Sequence, residues 1–200
     1  MRWVIGLGLA GAGNPGGPTI IRCATLGLGA VCLARAQTGS VLYGPSGTLA
    51  TVSESAPALV FAIDGTGDLA WWHSIGGDVD VAQDLRAGGA AVRILGNARS
   101  SLTIDGIGQP QVDVAGGLGR WVGEFDPTGR MQWLRLVARS TQSGAVSPFV
   151  AWSNVGPHGV VFADSLSAAV TVGVAHPVAF AAAPRTLIFE VDSAGALSCP

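Results

Sequence analysis

The chain has no lysine, one tyrosine and three cysteines in 200 residues, and only 12% of it is charged. Each scarcity excludes something. Eleven arginines scattered along the length, with a net charge of −2, form no basic stripe for phosphates, so no nucleic acid partner is expected. Hydrophobic residues make up 48%, yet no run reaches the roughly 18 apolar residues of a membrane helix, so no membrane span is expected. Three cysteines leave one thiol over whatever pairs. Cys23 and Cys32 flank Gly27-Leu28-Gly29. A hairpin turn there sets them opposite each other for a bridge; the blander alternative packs both as small buried hydrophobes. The missing lysine, beside abundant Ala, Gly and Arg, fits a GC-rich bacterial genome.

What is abundant points to strands. Thirty glycines, eleven prolines and many short Val/Ile/Leu clusters suit short strands and tight turns. The length allows one sizeable domain, burying roughly 70% of its extended-chain surface.

The N-terminus carries two misleading signals. Arg2 before Trp3-Val4-Ile5-Gly6-Leu7-Gly8-Leu9 resembles a shortened signal peptide, but the apolar stretch dissolves into Gly13-Asn14-Pro15-Gly16-Gly17-Pro18. The same residues spell Gly6-x-Gly8-x-x-Gly11, a dinucleotide fingerprint by spacing alone. That motif needs a helix aiming its N-terminus at a pyrophosphate. Prolines and glycines follow instead, and no acid precedes Glu54 to hold a ribose. No cofactor is expected.

One phrase organises the rest. Leu59-Val60-Phe61-Ala62-Ile63-Asp64-Gly65-Thr66-Gly67 leads to Trp71; Trp121-Val122-Gly123-Glu124-Phe125-Asp126-Pro127-Thr128-Gly129 leads to Trp133; Leu187-Ile188-Phe189-Glu190-Val191-Asp192-Ser193-Ala194-Gly195 leads to Cys199. The aspartates lie 62 and 66 residues apart, a long-period repeat. Counting from Trp3 gives a single domain of three units, 3–70, 71–132 and 133–198. Met1-Arg2-Trp3 echoes Met131-Gln132-Trp133, so Met1 reads as a residue inside a repeat of a longer parent.

Within each unit a strand leaves the Trp, and a second follows at Thr19–Cys23, Val79–Ala82 or Pro148–Trp152. After a glycine turn comes a third, at Ala30–Ala34, Ala91–Leu95 or Val160–Ala163. Short apolar segments follow, Val41–Tyr43, Leu102–Ile104 and Val170–Val172, and then the repeated phrase itself. Such an order predicts a meander in which sequential strands pair. In the Asp-x-x-Gly turn the carboxylate accepts from the backbone two residues on, and Gly relieves the reversal. The Asp is thus a turn-former before it is a ligand, and the Trp a filler between stacked sheets.

These residues resemble the bacterial β-propeller repeats known as SBBP repeats. The best matches are Phe61-Ala62-Ile63-Asp64-Gly65-Thr66-Gly67, Trp71, Gly76-Gly77-Asp78 and Ala91-Val92-Arg93-Ile94-Leu95-Gly96. Units one and three lack the Gly-Gly-Asp loop, and Cys199 stands where a Trp is expected. The resemblance implies an extracellular or surface-exposed protein without established chemistry. The expected fold is all-β, a propeller-like array of three four-stranded antiparallel blades forming a partial propeller. Three blades leave two apolar end faces, and propellers close with about four to eight. Closure therefore calls for a homodimer completing a six-bladed ring, for the missing blades of a longer chain, or for some other cover over the end faces.

Candidate chemistry is sparse. Asp78, Asp80 and Asp84 follow Gly76-Gly77 and offer oxygen ligands to calcium, against the plainer reading of a solvated loop. His73, His158 and His176 lack metal-ligand spacing. Gly44-Pro45-Ser46-Gly47 is not a nucleophile elbow. Glu54, Asp105, Asp113 and Asp164 meet only if the fold brings them together. Trp72, Trp121 and Trp152 fall outside the repeat position, as candidates to stack on a sugar or enter a partner groove, or else to fill space between sheets. The expected function is a non-catalytic module binding or scaffolding a protein or glycan partner through its loop rim. The rivals are a carbohydrate-active enzyme with carboxylates in a central channel, and a fragment without independent function.

Overall fold

The computed structural model describes residues 6–9, 19–35, 40–44, 47–51, 58–76, 81–88, 90–98, 101–104, 112–113, 118–140, 146–155, 159–166, 170–172, 176–178, 185–192 and 194–198. These residues are all strand and turn, without a helix, so none of them forms a helix long and apolar enough to cross a membrane.

The chain advances by hairpins that alternate between neighbouring sheets. After β1 (Gly6–Leu9), the hairpin of β2 (Thr19–Leu26) and β3 (Gly29–Arg35) begins a second sheet. The hairpin of β4 (Ser40–Gly44) and β5 (Gly47–Thr51) returns to pair with β1. β6 (Ala58–Ile63) and β7 (Leu69–Gly76) rejoin β3. β8 (Val81–Gly88) and β9 (Ala91–Ala98) open a third sheet, while β10 (Ser101–Ile104) and β11 (Val112–Asp113) go back to β7. β12 (Leu118–Phe125) and β13 (Met131–Ser140) then join β9. The cycle repeats with β14 (Val146–Val155) and β15 (Gly159–Leu166) opening a fourth sheet. β16 (Val170–Val172) and β17 (His176–Val178) return to β13, and β18 (Arg185–Asp192) with β19 (Leu197–Ser198) rejoins β15. The four antiparallel sheets have the orders β1-β4-β5, β11-β10-β7-β6-β3-β2, β17-β16-β13-β12-β9-β8 and β14-β15-β18-β19.

The expected meander holds within hairpins and fails from each hairpin to the next, as between β7 and β8, so the described sheets have three, six, six and four strands instead of the expected three blades of four. The strand that leaves each Trp pairs with the strand before the turn, so each six-stranded sheet straddles two sequence units. The expected strand Val79–Ala82 lies later, at Val81–Gly88. The short segments are first arms of hairpins whose second arms, β5, β11 and β17, carry too few apolar residues to be noticed. Gly6–Leu9 is a strand paired with β4, not the start of a helix, which removes the dinucleotide fingerprint.

β6 reads Ala-Leu-Val-Phe-Ala-Ile, and every residue of it is buried. An unbroken apolar run suits a central strand covered on both faces. One face of the second sheet, with Val31, Leu33, Val60 and Ile75, meets one face of the third, with Leu85, Val92, Ile94, Trp121 and Phe125. Each such side chain contributes about 1.5–3 kcal/mol when fully buried. The opposite face of the second sheet carries a line of cross-strand neighbours, Cys23, Cys32, Phe61 and Trp72. Cys23 and Cys32 are bonded as a disulfide with their Cα atoms 4.1 Å apart. The pairing follows from the two-residue turn at Gly27-Leu28, which sets the register. Cys23 is exposed, so the reading of two buried thiols does not hold.

Candidate functional site

The three Asp-x-x-Gly turns are built alike. Oδ1 of Asp64 accepts from the backbone N–H of Thr66 at 2.8 Å and of Asp68 at 3.0 Å. Asp126 does the same with Thr128 and Arg130, at 2.9 and 3.1 Å, and Asp192 with Ala194 and Ala196, at 2.9 and 2.8 Å. In each, the glycine N–H donates to the Asp carbonyl, and the glycine takes a left-handed φ, +93° at Gly67, +84° at Gly129 and +77° at Gly195. This is a three-residue hairpin loop ending in a glycine bulge. The Thr66 hydroxyl, at 2.6 Å, leads the contacts that hold the Asp64 carboxyl below its ordinary range, and Thr128 does the same for Asp126. The aspartates are spent on the turn, as their local sequence predicts.

The repeated Trp joins one unit's strand to the next unit's turn. The Trp71 indole lies against Gly129, so close that a Cβ there would stand 2.5 Å from ring atoms. Its Nε1 donates to the Pro127 carbonyl at 2.9 Å. Two residues on, His73 Nε2 donates to the Gly129 carbonyl at 2.7 Å. Phe125, just before that turn, stacks on both rings, at centroid distances of 6.1 Å to Trp71 and 5.4 Å to His73. The next unit repeats the contact: Trp133 lies on Gly195, and Arg135 Nε donates to the Gly195 carbonyl at 3.2 Å. Turn, Trp, turn, Trp, turn thus run in a row along one edge of successive sheets. The Trp was legible as a spacer; the donor two residues after it was not. The signal was there, a polar side chain at one fixed offset in two units.

The same edge carries exposed groups. Leu28, 95% exposed at the β2–β3 turn, abuts Gly65 of the first Asp-x-x-Gly turn. Thr66, Asp68, Thr128 and Arg130 are exposed beside it along the row.

Among the described residues, those singled out from the sequence are not gathered in one place. Trp121 is fully buried, its indole crossing Gly96 on the neighbouring strand within the core between the second and third sheets. Trp72 is half-buried on the disulfide-bearing face of the second sheet. Trp152 lies on β14, and its side chain falls outside the described residues. Asp78 and Asp80 also fall outside them. Asp84 is half-buried and ion-paired to Arg22 of β2 and to Arg86, at 3.3 Å in the latter case, while accepting from the Leu85 N–H at 2.9 Å. It clamps the third sheet to the second. Among the described residues no three His, Cys, Asp or Glu side chains gather to hold a metal ion.

A buried polar seam went unnoticed in the sequence. Arg93 and Glu124, facing each other across β9 and β12, form a 2.7 Å ion pair with side chains only 3% and 10% exposed. Glu124 also pairs across to Trp133, on the face that meets the last turn. The alternation of Arg93 between Val92 and Ile94 places it opposite the apolar core, the one hint available beforehand.

Comparison of this chain with protein-family models, with curated proteins and with solved structures finds no match.

Proposed function

We propose that the chain is a non-catalytic β-propeller repeat module that presents its row of turns to a protein or glycan partner. The observation that carries this reading is the Trp-on-turn contact made twice, by Trp71 on Gly129 and Trp133 on Gly195, which fixes successive turns against one another as a rigid edge. Propeller-like stacking is supported by sheets that face one another through apolar side chains and by hairpins that alternate between neighbouring sheets. The similarity to SBBP repeats rests on the same turn and Trp. The Cys23–Cys32 bond favours an oxidising, extracellular setting. Asp64, Asp68, Asp84, Glu124, Asp126 and Asp192 are each engaged by a turn or by an arginine, which favours a scaffold over a hydrolase.

The experiment is glycan-array and surface-display binding with the wild-type chain and with Leu28→Asp and Arg130→Glu, which alter exposed rim groups. Binding lost in these variants at unchanged melting temperature is the expected result. Binding indifferent to both changes, or turnover of a polysaccharide panel, would overturn the reading.

A further inference from the structure

The two end sheets are complementary halves of the sheets between them. The second and third sheets share one six-strand order, an outer three (β11-β10-β7 and β17-β16-β13) followed by an inner three (β6-β3-β2 and β12-β9-β8). The first sheet, β5-β4-β1, has the outer three alone. Gly8, Gly76 and Ala138 each stand five residues after the repeated Trp, and they pair with Val41 of β4, Thr103 of β10 and Val172 of β16. β1 is therefore the counterpart of β7 and β13. The fourth sheet, β18-β15-β14, has the inner three and the two-residue β19. β19 pairs only with Glu190 and Val191, so among the described residues the Arg185–Phe189 stretch of β18 has a neighbour on one side alone. β1 likewise pairs only with β4.

The two open edges occupy corresponding positions. β19 corresponds to the start of β7, and β1 to its end, so the two fill different stretches of one strand position without overlap. In the complete sheets Ser74 pairs with Leu59 and Leu136 with Trp121, each five residues before the turn aspartate. The equivalent pair is Gly6 opposite Leu187, both on open edges. An edge strand with unpaired N–H and C=O groups is a template for a strand from another chain.

We propose that β1 of one copy adds to β18 of a second copy, Gly6 opposite Leu187, and that the exchange is reciprocal, giving a closed homodimer. The described strands form two whole sheets and two complementary halves, so each half, completed by the half of the other copy, becomes a six-strand sheet like the two between them. The proposal rests on the propeller-module reading and adds the identity of the partner and the strand register. Its test reads assembly and not rim binding, so either can fail with the other intact.

Multi-angle light scattering of the 200-residue chain at micromolar concentration should give twice the 20.1 kDa chain mass. Gly6→Cys with Leu187→Cys, in a Cys199→Ser background, should oxidise to a covalent dimer on a non-reducing gel. Gly8→Cys with Leu187→Cys should not link, because diagonal positions lie beyond disulfide reach. Hydrogen exchange on the wild-type chain, which no folding defect can confound, should show amides within 185–187 losing protection on dilution to monomer. A monomer mass, equal cross-linking of both cysteine pairs, or a dimer whose 185–187 amides all exchange as fast as in the monomer would overturn the proposal.

Discussion

The Trp71 indole rests on Gly129 of the following repeat, and its ring N–H reaches the Pro127 carbonyl at 2.9 Å. Gly129 is thus held to glycine twice over, by φ of +84° and by the ring occupying the space of a side chain. Gly27 shares only the first constraint: φ is +57°, and nothing lies within 4 Å of an added Cβ. Gly27→Ala should therefore cost about 1–2 kcal/mol. Gly129→Ala should cost about 1–3 kcal/mol more through overpacking. Urea unfolding of both variants checks the difference, and equal losses would refute a packing role for the indole.

Replacing Trp71 separates its two contributions. Trp71→Phe keeps a ring on Gly129 but loses the hydrogen bond, an expected loss of about 0.5–1.5 kcal/mol plus the smaller ring's missing contacts. Trp71→Ala removes both and should cost about 3–5 kcal/mol. Thermal denaturation should rank wild type, Phe and Ala in that order.

The Arg93–Glu124 pair should behave as a buried ion pair. Glu124→Ala strands a guanidinium in the seam and should cost about 3–5 kcal/mol, with Arg93→Ala similar. The paired change Arg93→Met with Glu124→Leu should be milder than either single change. A double-mutant cycle in denaturant measures it. Additive losses would show that the two side chains act separately.

Acid should loosen the turns. The folded-state carboxyls of Asp64 and Asp126 lie below their ordinary range because Thr66 and Thr128 hydroxyls and backbone N–H groups donate to them. A lowered folded pKa gives stability that is present above the unfolded value and lost as pH falls through the folded one. The melting temperature should thus decline below about pH 4. Asp64→Asn with Asp126→Asn should flatten that decline while lowering stability at neutral pH. Melting curves across the acid range decide it.

Reduction should also weaken the fold. The Cys23–Cys32 bond closes a short loop, with a sequence separation of 9. Chain entropy then assigns it about 2–3 kcal/mol. Intact mass should rise by two hydrogens on reduction, and the denaturation midpoint should fall.

Much of this was written locally and some was not. The turns were legible because Asp, Thr and Gly act on backbone groups two to four residues away, and the hairpin of β6 and β7 follows directly from the turn between them. Which sheet a hairpin joins was not legible. β7 and β8 are consecutive, yet β8 pairs with β9 while β10 turns back to β7, a choice made by packing partners distant in the chain. The buried face of Arg93 was hidden for a similar reason. Strand alternation says that Arg93 points away from Val92 and Ile94, but what covers that side comes from the last repeat. Trp121 shows the reverse: a large aromatic off the repeat position, with nothing nearby in sequence to reveal that Gly96 leaves room for its ring.

The stepping of hairpins two forward and one back laces the sheets like a boot. A proteolytic nick between β9 and β10 severs no sheet cleanly: it leaves the second sheet holding strands from both pieces, and the third likewise. A single repeat excised at its Trp would carry strands of two different sheets and complete neither. The smallest autonomous folding piece is therefore longer than the repeat that spells it, and unravelling begun at one end must undo two layers together.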